Sequence, residues 1–249
     1  MKIQLTATFT ILAALLLASC QGLGSQPQAD ADTLPGLYTG DLSAASSPGR
    51  QFFMTLTNKN EAIFSVDYRD DQDAIIQIGT WALAEDGMLS VALAAADGGA
   101  GESLRFAVSG DALALKDNPD YGSEGLTLKR AADDSLQLVP GGWMWLDTTN
   151  ADDTVNQVII PTNFTVLFME NGDLAVRLDC NRGMGAYTIA GQSIDIKMGP
   201  TTLMACPEPG LGTEFAMQLD SAAAFFFQQG QLFLEREADG GSMRFVRVK

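Results

Sequence analysis

The cysteines and the missing histidines set narrow limits on the chemistry of this chain. Its 249 residues contain three cysteines, at Cys20, Cys180 and Cys206, and no histidine. Without histidine, the commonest general base and the commonest transition-metal ligand are both absent. A serine such as Ser90 would have no imidazole to activate it, and it is not in a Gly-x-Ser-x-Gly turn. We therefore predict no catalytic residues and no enzymatic activity.

The first cysteine follows an apolar run. Residues 11–17 are apolar, but the run is shorter than the about 20 residues that a membrane-spanning helix needs. Together with Lys2, it has the form of a secretory signal. The residues Leu17-Ala18-Ser19-Cys20 resemble a bacterial lipobox, which implies cleavage after residue 19 and a lipid on Cys20. The alternative is an ordinary signal peptide with a chance cysteine behind it.

The resemblance to a lipobox also implies where the protein is located in the cell. It implies export to the envelope of a Gram-negative bacterium and attachment to a membrane through the lipid. Gln21 follows the cysteine, where an Asp favours the inner membrane in enteric bacteria, so the resemblance favours the outer membrane, facing the periplasm. Residues 20–33 are rich in Gly, Pro, Ala and Asp, and this composition indicates a flexible tether.

Export leaves Cys180 and Cys206 in an oxidising compartment, where two remaining thiols are expected to pair. The alternatives are a redox-active pair and a metal site. Redox motifs favour the spacing Cys-x-x-Cys, which is absent. Two distant sulfurs without histidine also make a poor metal site. A structural disulfide is therefore the preferred interpretation.

Two further groups of residues suggest metal binding. The acidic stretch DYRDDQD, residues 67–73, lacks the glycine and the distal Glu of an EF-hand loop, and a solvated hairpin tip explains it better. Met184, Met198 and Met204 could offer thioethers to Cu(I), but scattered methionines more often fill a core. We predict no metal and no cofactor.

The charge excludes a further class of partner. With 15 basic and 31 acidic residues the formal net charge is −16, and the acidic residues are scattered rather than in one block. Nucleic acid is therefore excluded as a partner, because binding to phosphates needs clustered Lys and Arg.

Short strand-like runs separated by turns fill the first part of the chain. They include FFMTLTN, AIFSVDY, AIIQIGTWAL, MLSVAL, LRFAV, ALALK and GLTLK. Strands of this length with Gly, Asp and Asn turns predict an antiparallel meander or small barrel. In FSVDY, the alternation places Phe64, Val66 and Tyr68 on one face. We assign residues 34–139 to this lipocalin-like barrel.

A second β-rich unit is predicted over residues 141–249, with Gly141-Gly142 at the boundary. Its strand-like runs are VNQVII, FTVLF, LAVRL, AYTI, SIDIK, QLFLE and MRFVRV. GTEFAMQLDSAAAFFF differs, since Phe215, Leu219, Ala222 and Phe226 would share one helical face. We expect one amphipathic helix packed on a sheet, and hence a mainly β protein of two small antiparallel domains.

The second unit carries a recognisable motif. In CNRGMGAY, Cys180 and Asn181 are followed at fixed spacing by Gly185 and Tyr187, and TTLMACPEPG comes later with Cys206. This order resembles the META domain, also called the HslJ domain, whose pattern continues with a helix and a final strand pair. Asp179 departs from the family, which usually has glycine there.

The first unit resembles the NlpE-like domains linked to copper tolerance and envelope stress. GLYTGDL matches their opening strand, and the G-x-W at Gly79 and Trp81 matches a turn. Ala44 and Ser47 occupy the positions of the Cys-x-x-Cys of that family. Neither residue can replace a thiolate as a Cu(I) ligand, so the copper role does not extend to this site.

Together these features predict a lipid-anchored envelope protein with a binding, sensing or stress-support role and an envelope protein as a partner. The alternative is a carrier that holds a small hydrophobic ligand inside the first barrel.

Overall fold

The computed structural model describes residues 30–44, 47–70, 72–94, 101–121, 125–207 and 210–249. The predicted signal peptide, Cys20 and the tether up to residue 29 lie outside the described residues. Within these ranges, no helix combines the length and the apolar character needed to cross a membrane.

Eight antiparallel strands form a closed barrel in the first part of the chain. Consecutive strands pair with each other, and β1 also pairs with β8 to close the barrel. The bounds are β1 Gly36–Ala44, β2 Ser47–Leu56, β3 Glu61–Asp67, β4 Ile75–Leu83, β5 Met88–Leu93, β6 Glu102–Ser109, β7 Ala112–Lys116 and β8 Thr127–Arg130.

Side chains fill the interior of this first barrel. Phe52 and Phe64 are fully buried, with ring centroids 5.9 Å apart. Tyr121, on a short 3-10 turn before β8, packs its ring against both and donates a hydrogen bond to Glu102. Burial and the nearby Glu102 carboxylate raise the pKa of Tyr121, so the ring stays neutral at physiological pH. The interior is a packed core of aliphatic and aromatic residues.

A second sheet follows, with strand order β10-β9-β11-β12-β13-β14-β15-β16-β17 and a further pairing of β9 with β17 that closes it. The bounds are β9 Gly141–Thr149, β10 Val155–Gln157, β11 Phe164–Phe168, β12 Asp173–Leu178, β13 Asn181–Ala190, β14 Ser193–Thr201, β15 Ala222–Gln228, β16 Gln231–Arg236 and β17 Ser242–Arg247. The prediction of a mainly β fold with two β-rich units is confirmed. The expected strand VNQVII is shorter, because it ends at Gln157 and Ile159 and Ile160 continue as exposed loop.

One helix, α1, spans Gly212–Asp220 and packs on this second barrel. Phe215 is fully buried and stacks on Trp145 with ring centroids 5.0 Å apart. β14 and β15 share only one register pair, and the Asp220 carboxylate accepts a hydrogen bond from the Met198 N–H on β14. The helix thus covers a place where the barrel wall is thinly paired.

The helix is shorter than the sequence predicts. The pattern extends it through Ala222 and Phe226, but both residues lie in β15. The three consecutive phenylalanines there favour a strand. Pairing with β16 adds cross-strand contacts, including a stack of Phe226 on Phe233 at 4.9 Å. The packed helix itself is confirmed, and only its C-terminal half is wrong.

The outer walls of the two barrels pack against each other. Five buried residues form this contact, which we call the inter-barrel contact: Ile63, Met144, Leu146, Val246 and Val248. A buried ion pair lies beside it, where the Arg244 guanidinium binds the Asp147 carboxylate, with Nε 3.0 Å from Oδ1. Arg244 also approaches Glu61 of the first barrel at 3.7 Å. Apolar and charged contacts therefore both join the barrels.

The described residues of the stretch DYRDDQD connect the antiparallel strands β3 and β4, and those after Asp67 are exposed, as the interpretation as a solvated hairpin tip predicts; some of them also contact the second barrel. Asp67 is buried and lies 3.5 Å from the Lys249 ammonium group, and Asp73 pairs with Arg182 at 3.0 Å. Lys249 also donates hydrogen bonds to the carbonyls of Asp70 and Gln72. The acidic loop is thus docked on basic residues of the second barrel.

Candidate functional site

The second and third cysteines form a disulfide at one end of the second barrel. Cys180 follows β12 in the turn to β13, and Cys206 lies between β14 and α1. Their sulfur atoms are 2.00 Å apart and their Cα atoms 5.5 Å apart. The bond ties the irregular segment after β14 to a strand end, so this segment has a fixed position on the barrel.

Asp179 precedes the first of these cysteines and differs from the family pattern. Its φ is 64°, a left-handed conformation that glycine adopts without strain and that Asp tolerates better than most residues. The Asp179 N–H donates to the Asn163 carbonyl at 2.9 Å, and its carboxylate accepts from the Asn163 amide at 3.0 Å. These two bonds hold the turn that glycine usually forms.

Asn181 fastens the segment that carries Cys206. Its side-chain oxygen accepts hydrogen bonds from the Met204 N–H at 2.7 Å and from the Thr202 hydroxyl at 2.8 Å. Its amide nitrogen donates to the Met204 carbonyl at 3.0 Å. One side chain therefore satisfies three polar groups of the segment and supports the disulfide.

The other two motif residues, Gly185 and Tyr187, stabilise the wall of the second barrel. A Cβ on Gly185 would lie 2.5 Å from the Lys197 carbonyl oxygen, so only glycine allows β13 and β14 to approach this closely. The Tyr187 ring packs edge-on against Phe168 at 5.1 Å, and its hydroxyl donates to the Met169 carbonyl. Burial, with a smaller contribution from Glu170, raises the pKa of Tyr187. Both residues therefore stabilise the fold of the second barrel.

Two grooves flank the disulfide. The first, of about 310 Å³, runs beside α1 and is lined by residues that include Asn181, Thr202, Leu203, Met204, Cys206 and Ala216. The second, of about 290 Å³, is lined by residues that include Ile159, Ile160, Phe164, Arg177, Cys180 and Leu211. Each groove is therefore lined by one half of the disulfide.

Four large apolar side chains stand exposed on the rims of these grooves. Leu203 is 93% exposed, Ile159 74%, Met204 61% and Ile160 52%. We call these four residues the disulfide surface. Single exposed apolar residues are common, but a group of them around concave features is typical of an interaction site.

The remaining candidate metal-binding residues from the sequence lie apart from the disulfide. Ala44 and Ser47 are register partners at the end of the β1–β2 hairpin. Met184 is exposed, whereas Met198 is partly buried and packs against the core of the second barrel. Among the described residues, no group of three or more His, Cys, Asp or Glu side chains could hold a metal ion.

The sequence singles out Met204 only as a possible thioether ligand or core residue, and it does not single out Leu203, Ile159 or Ile160. The run VNQVII predicts a strand through Ile159 and Ile160, and Leu203 lies within the segment TTLMACPEPG of the family pattern. One signal could have indicated that these side chains are exposed. The four apolar residues lie shortly before Pro161 or Pro207, in stretches that lack the spacing of a strand or a helix.

Solved structures give partial similarity. An NMR structure of a protein from Burkholderia xenovorans is 22% identical, with 44% of this chain and 83% of that one covered and a TM-score of 0.38. The Cpx pathway activator NlpE from Escherichia coli is 20% identical, with 67% and 96% covered and a TM-score of 0.30. A DUF4847 family protein from Bacteroides vulgatus is 15% identical, with 43% and 92% covered and a TM-score of 0.33. Similarity at this level says nothing about function.

No curated protein sequence matches the chain. The family comparison is more informative, because residues 137–249 match the META domain. This range contains the disulfide, Asn181, Gly185 and Tyr187, whose bonds are described above. The second barrel of this chain is therefore similar to META domains over residues 137–249.

Proposed function

We propose that this protein is a non-catalytic binding protein of the bacterial cell envelope, held on a membrane by a lipid on Cys20. It binds an envelope protein through the disulfide surface, which takes up apolar side chains of the partner. One observation carries the proposal: Leu203, Ile159, Met204 and Ile160 are exposed around two grooves in a region that the disulfide and Asn181 hold in place. A pre-formed surface binds without a large ordering cost.

The fold is consistent with a disulfide surface that faces away from the membrane anchor. The Gln229 and Gly230 N–H groups in the β15–β16 turn donate to the Asp133 carboxylate, and Gly230 packs closely on Leu37 near the start of β1. Turns alternate between the two ends of an antiparallel barrel, so this turn lies at the end opposite the β12–β13 turn with Cys180. The segment that leads to Cys20 thus begins away from the disulfide surface, which supports a partner beyond the membrane surface.

The carrier alternative is not favoured by the geometry. A carrier needs a cavity inside the first barrel, and Phe52, Phe64 and Tyr121 occupy the centre of that barrel with their rings in contact. A ligand could enter only if these rings moved.

Site-specific crosslinking tests the binding proposal. A photoreactive residue at position 203 should capture one protein in intact envelopes, whereas the same residue at position 189, on β13 and also exposed, should not. Soluble protein with intact Leu203 and Ile159 should compete for the capture. The Ile159→Ser/Leu203→Ser variant should not compete, and the matched Ile75→Ser/Ile189→Ser variant should. Equal competition by both variants would overturn the proposal.

The anchor is tested separately. Cys20→Ser should abolish lipid attachment and release the protein from the membrane fraction, because a lipidated cysteine is the only anchor proposed here. Membrane association that survives this substitution would show that the lipobox interpretation is wrong.

A further inference from the structure

The short strand β10 is an exposed edge of the second barrel. Among the described residues it pairs with β9 alone, and it lies outside the ring that the pairing of β9 with β17 closes. The Val158 N–H donates to the Leu146 carbonyl, which fixes the backbone groups that point to β9. Because the direction of these groups alternates along a strand, those of Val155 and Gln157 point the other way. Residues 151–157 are all exposed, so this edge faces solvent.

The sequence of this edge favours pairing with a further strand. Residues 154–160, TVNQVII, contain no charged residue, no proline and no glycine, and five of the seven are β-branched. Such residues have high strand propensity, and uncharged segments of this kind pair readily with other strands. Natural edge strands usually carry a charge or a proline, or are covered, which prevents unwanted pairing.

The thinly paired edge of β14 has the protection that β10 lacks. β14 carries Lys197 and Pro200, and α1 packs against it. The Met198 N–H of this strand donates to the Asp220 carboxylate, so a backbone donor of the edge is already used. The second barrel therefore blocks strand addition at β14 and permits it at β10.

The edge of β10 leads directly into the disulfide surface. Ile159 and Ile160 follow within three residues of the end of the strand and line the second groove, of about 290 Å³. Val155, 46% exposed, adds an apolar side chain at the start of the strand. In the turn that precedes it, Asp152 and Asp153 are exposed. An extended segment along β10 would thus meet a negative charge at one end and an apolar groove at the other.

We infer that the partner of the disulfide surface contributes an extended segment that adds to the second barrel as a strand beside β10. The inference rests on the function proposed above and names how that same surface is recognised. The segment forms backbone hydrogen bonds with Val155 and Gln157, packs apolar side chains into the second groove, and carries a lysine or arginine opposite the acidic β9–β10 turn. A second copy of this chain is a poor occupant, because each copy has a formal net charge of −16 and the same acidic turn.

A proline at position 157 tests this inference. It removes an N–H that points away from β9, and it leaves the pairing of β10 with β9 in place. Soluble protein with Gln157→Pro should need at least about tenfold higher concentration to compete for the capture at position 203, since the added strand loses a hydrogen bond and meets the proline ring. The matched variant Gln157→Ala also loses the side-chain bond to Asp147 and should compete like the unsubstituted protein. Circular dichroism and thermal unfolding check that both variants are folded.

The outcomes separate this inference from the function on which it rests. Equal competition by the two variants would overturn strand addition, and the proposed function would still hold if Ile159→Ser/Leu203→Ser fails to compete. No capture at position 203 would overturn both. If Gln157→Pro does not fold, hydrogen exchange with the captured protein decides, because the Gln157 amide should exchange at least about tenfold more slowly in the complex. Unchanged exchange would overturn the inference, and so would a dimer of the soluble protein, measured by sedimentation, that Gln157→Pro dissociates.

Discussion

The inter-barrel contact and the disulfide surface are both apolar groups on the outside of barrels, yet one is covered and the other is open. The five residues of the inter-barrel contact are at most 6% exposed, whereas the four residues of the disulfide surface are between 52% and 93% exposed. The covered residues lie on or beside regular strands, which offer a smooth wall to another wall. The open residues lie on loops beside grooves, which suit an irregular partner. The fold itself therefore covers the inter-barrel contact, and it leaves the disulfide surface uncovered.

The two surfaces also differ in their polar groups. Beside the inter-barrel contact, Asp147 and Arg244 are almost fully buried and paired, and the Ser65 hydroxyl donates to the Val248 carbonyl at 2.6 Å. Arg247 packs over Trp143 at 5.0 Å, and burial lowers its pKa to about 10, so it remains charged at neutral pH. At the disulfide surface, Asn181 at the start of β13 instead bonds to the backbone of Met204, in the segment between β14 and α1.

The largest expected effect comes from a charge in the covered surface. Val246→Asp would bury an unpaired carboxylate among Ile63, Met144 and Val248, and we expect a loss of about 3–5 kcal/mol in the free energy of unfolding. Urea unfolding followed by tryptophan fluorescence measures it. The control Ile189→Asp places the same charge on an exposed position of β13 and should change stability by less than about 0.5 kcal/mol. Equal effects of the two substitutions would show that the barrels are not held together through this surface.

The buried ion pair beside the inter-barrel contact should also contribute strongly to stability. Arg244→Met leaves the Asp147 carboxylate, 2% exposed, without its guanidinium, and it should destabilise the protein by about 3–5 kcal/mol. The double variant Asp147→Leu/Arg244→Met removes both charges and should recover most of this loss, since an apolar pair of similar volume is often neutral. A double variant as unstable as the single one would indicate that lost packing, rather than an unpaired charge, causes the effect.

A strand with one face in solvent leaves a pattern in the sequence, whereas a strand covered on both faces does not. β5 alternates buried residues with partly buried or exposed ones, and this period of two predicts the strand from the sequence. In β3, six consecutive residues from Ala62 to Asp67 are buried, because the first barrel covers one face and the second barrel the other. Ser65 and Asp67 therefore look like solvent positions in the sequence. Their burial depends on a surface more than 180 residues away, which no local pattern encodes.

The candidate site, like the fold, could be predicted from the sequence only in part. The pairing of Cys180 with Cys206 followed from the cysteine count and the expected compartment, and the structure contains this bond. The bonds of Asn181 to Thr202 and Met204 depend on how an irregular segment folds back over a strand end. The exposure of Leu203 depends on the same path. Irregular segments lack the periodicity that marks helices and strands, so their side chains could not be placed.

The disulfide is the next test, and beyond a global loss of stability its removal should loosen the open surface in particular. The Cys180→Ala/Cys206→Ala variant opens a loop with a sequence separation of 26 residues, and we expect a loss of about 2–5 kcal/mol under non-reducing conditions. Hydrogen exchange should increase most at the Met204 amide, whose acceptor Asn181 follows Cys180 directly. Amides of β3 should exchange only as fast as the lower global stability requires. Selective loss of protection in β3 instead would mean that the disulfide stabilises the inter-barrel contact.

The smallest effect on stability is expected at the open surface itself. Leu203 is 93% exposed, so Leu203→Ser removes almost no buried apolar area and should change the free energy of unfolding by less than about 0.5 kcal/mol. Ile63→Ser, in the inter-barrel contact, truncates a side chain that is 2% exposed and should cost about 2–4 kcal/mol. The same chemical change thus separates a surface that the fold already uses from one that it leaves free. A loss of more than about 1 kcal/mol for Leu203→Ser would show that Leu203 is buried by another part of this chain in solution. The disulfide surface would then be internal packing, and its role in binding a partner would have to be abandoned.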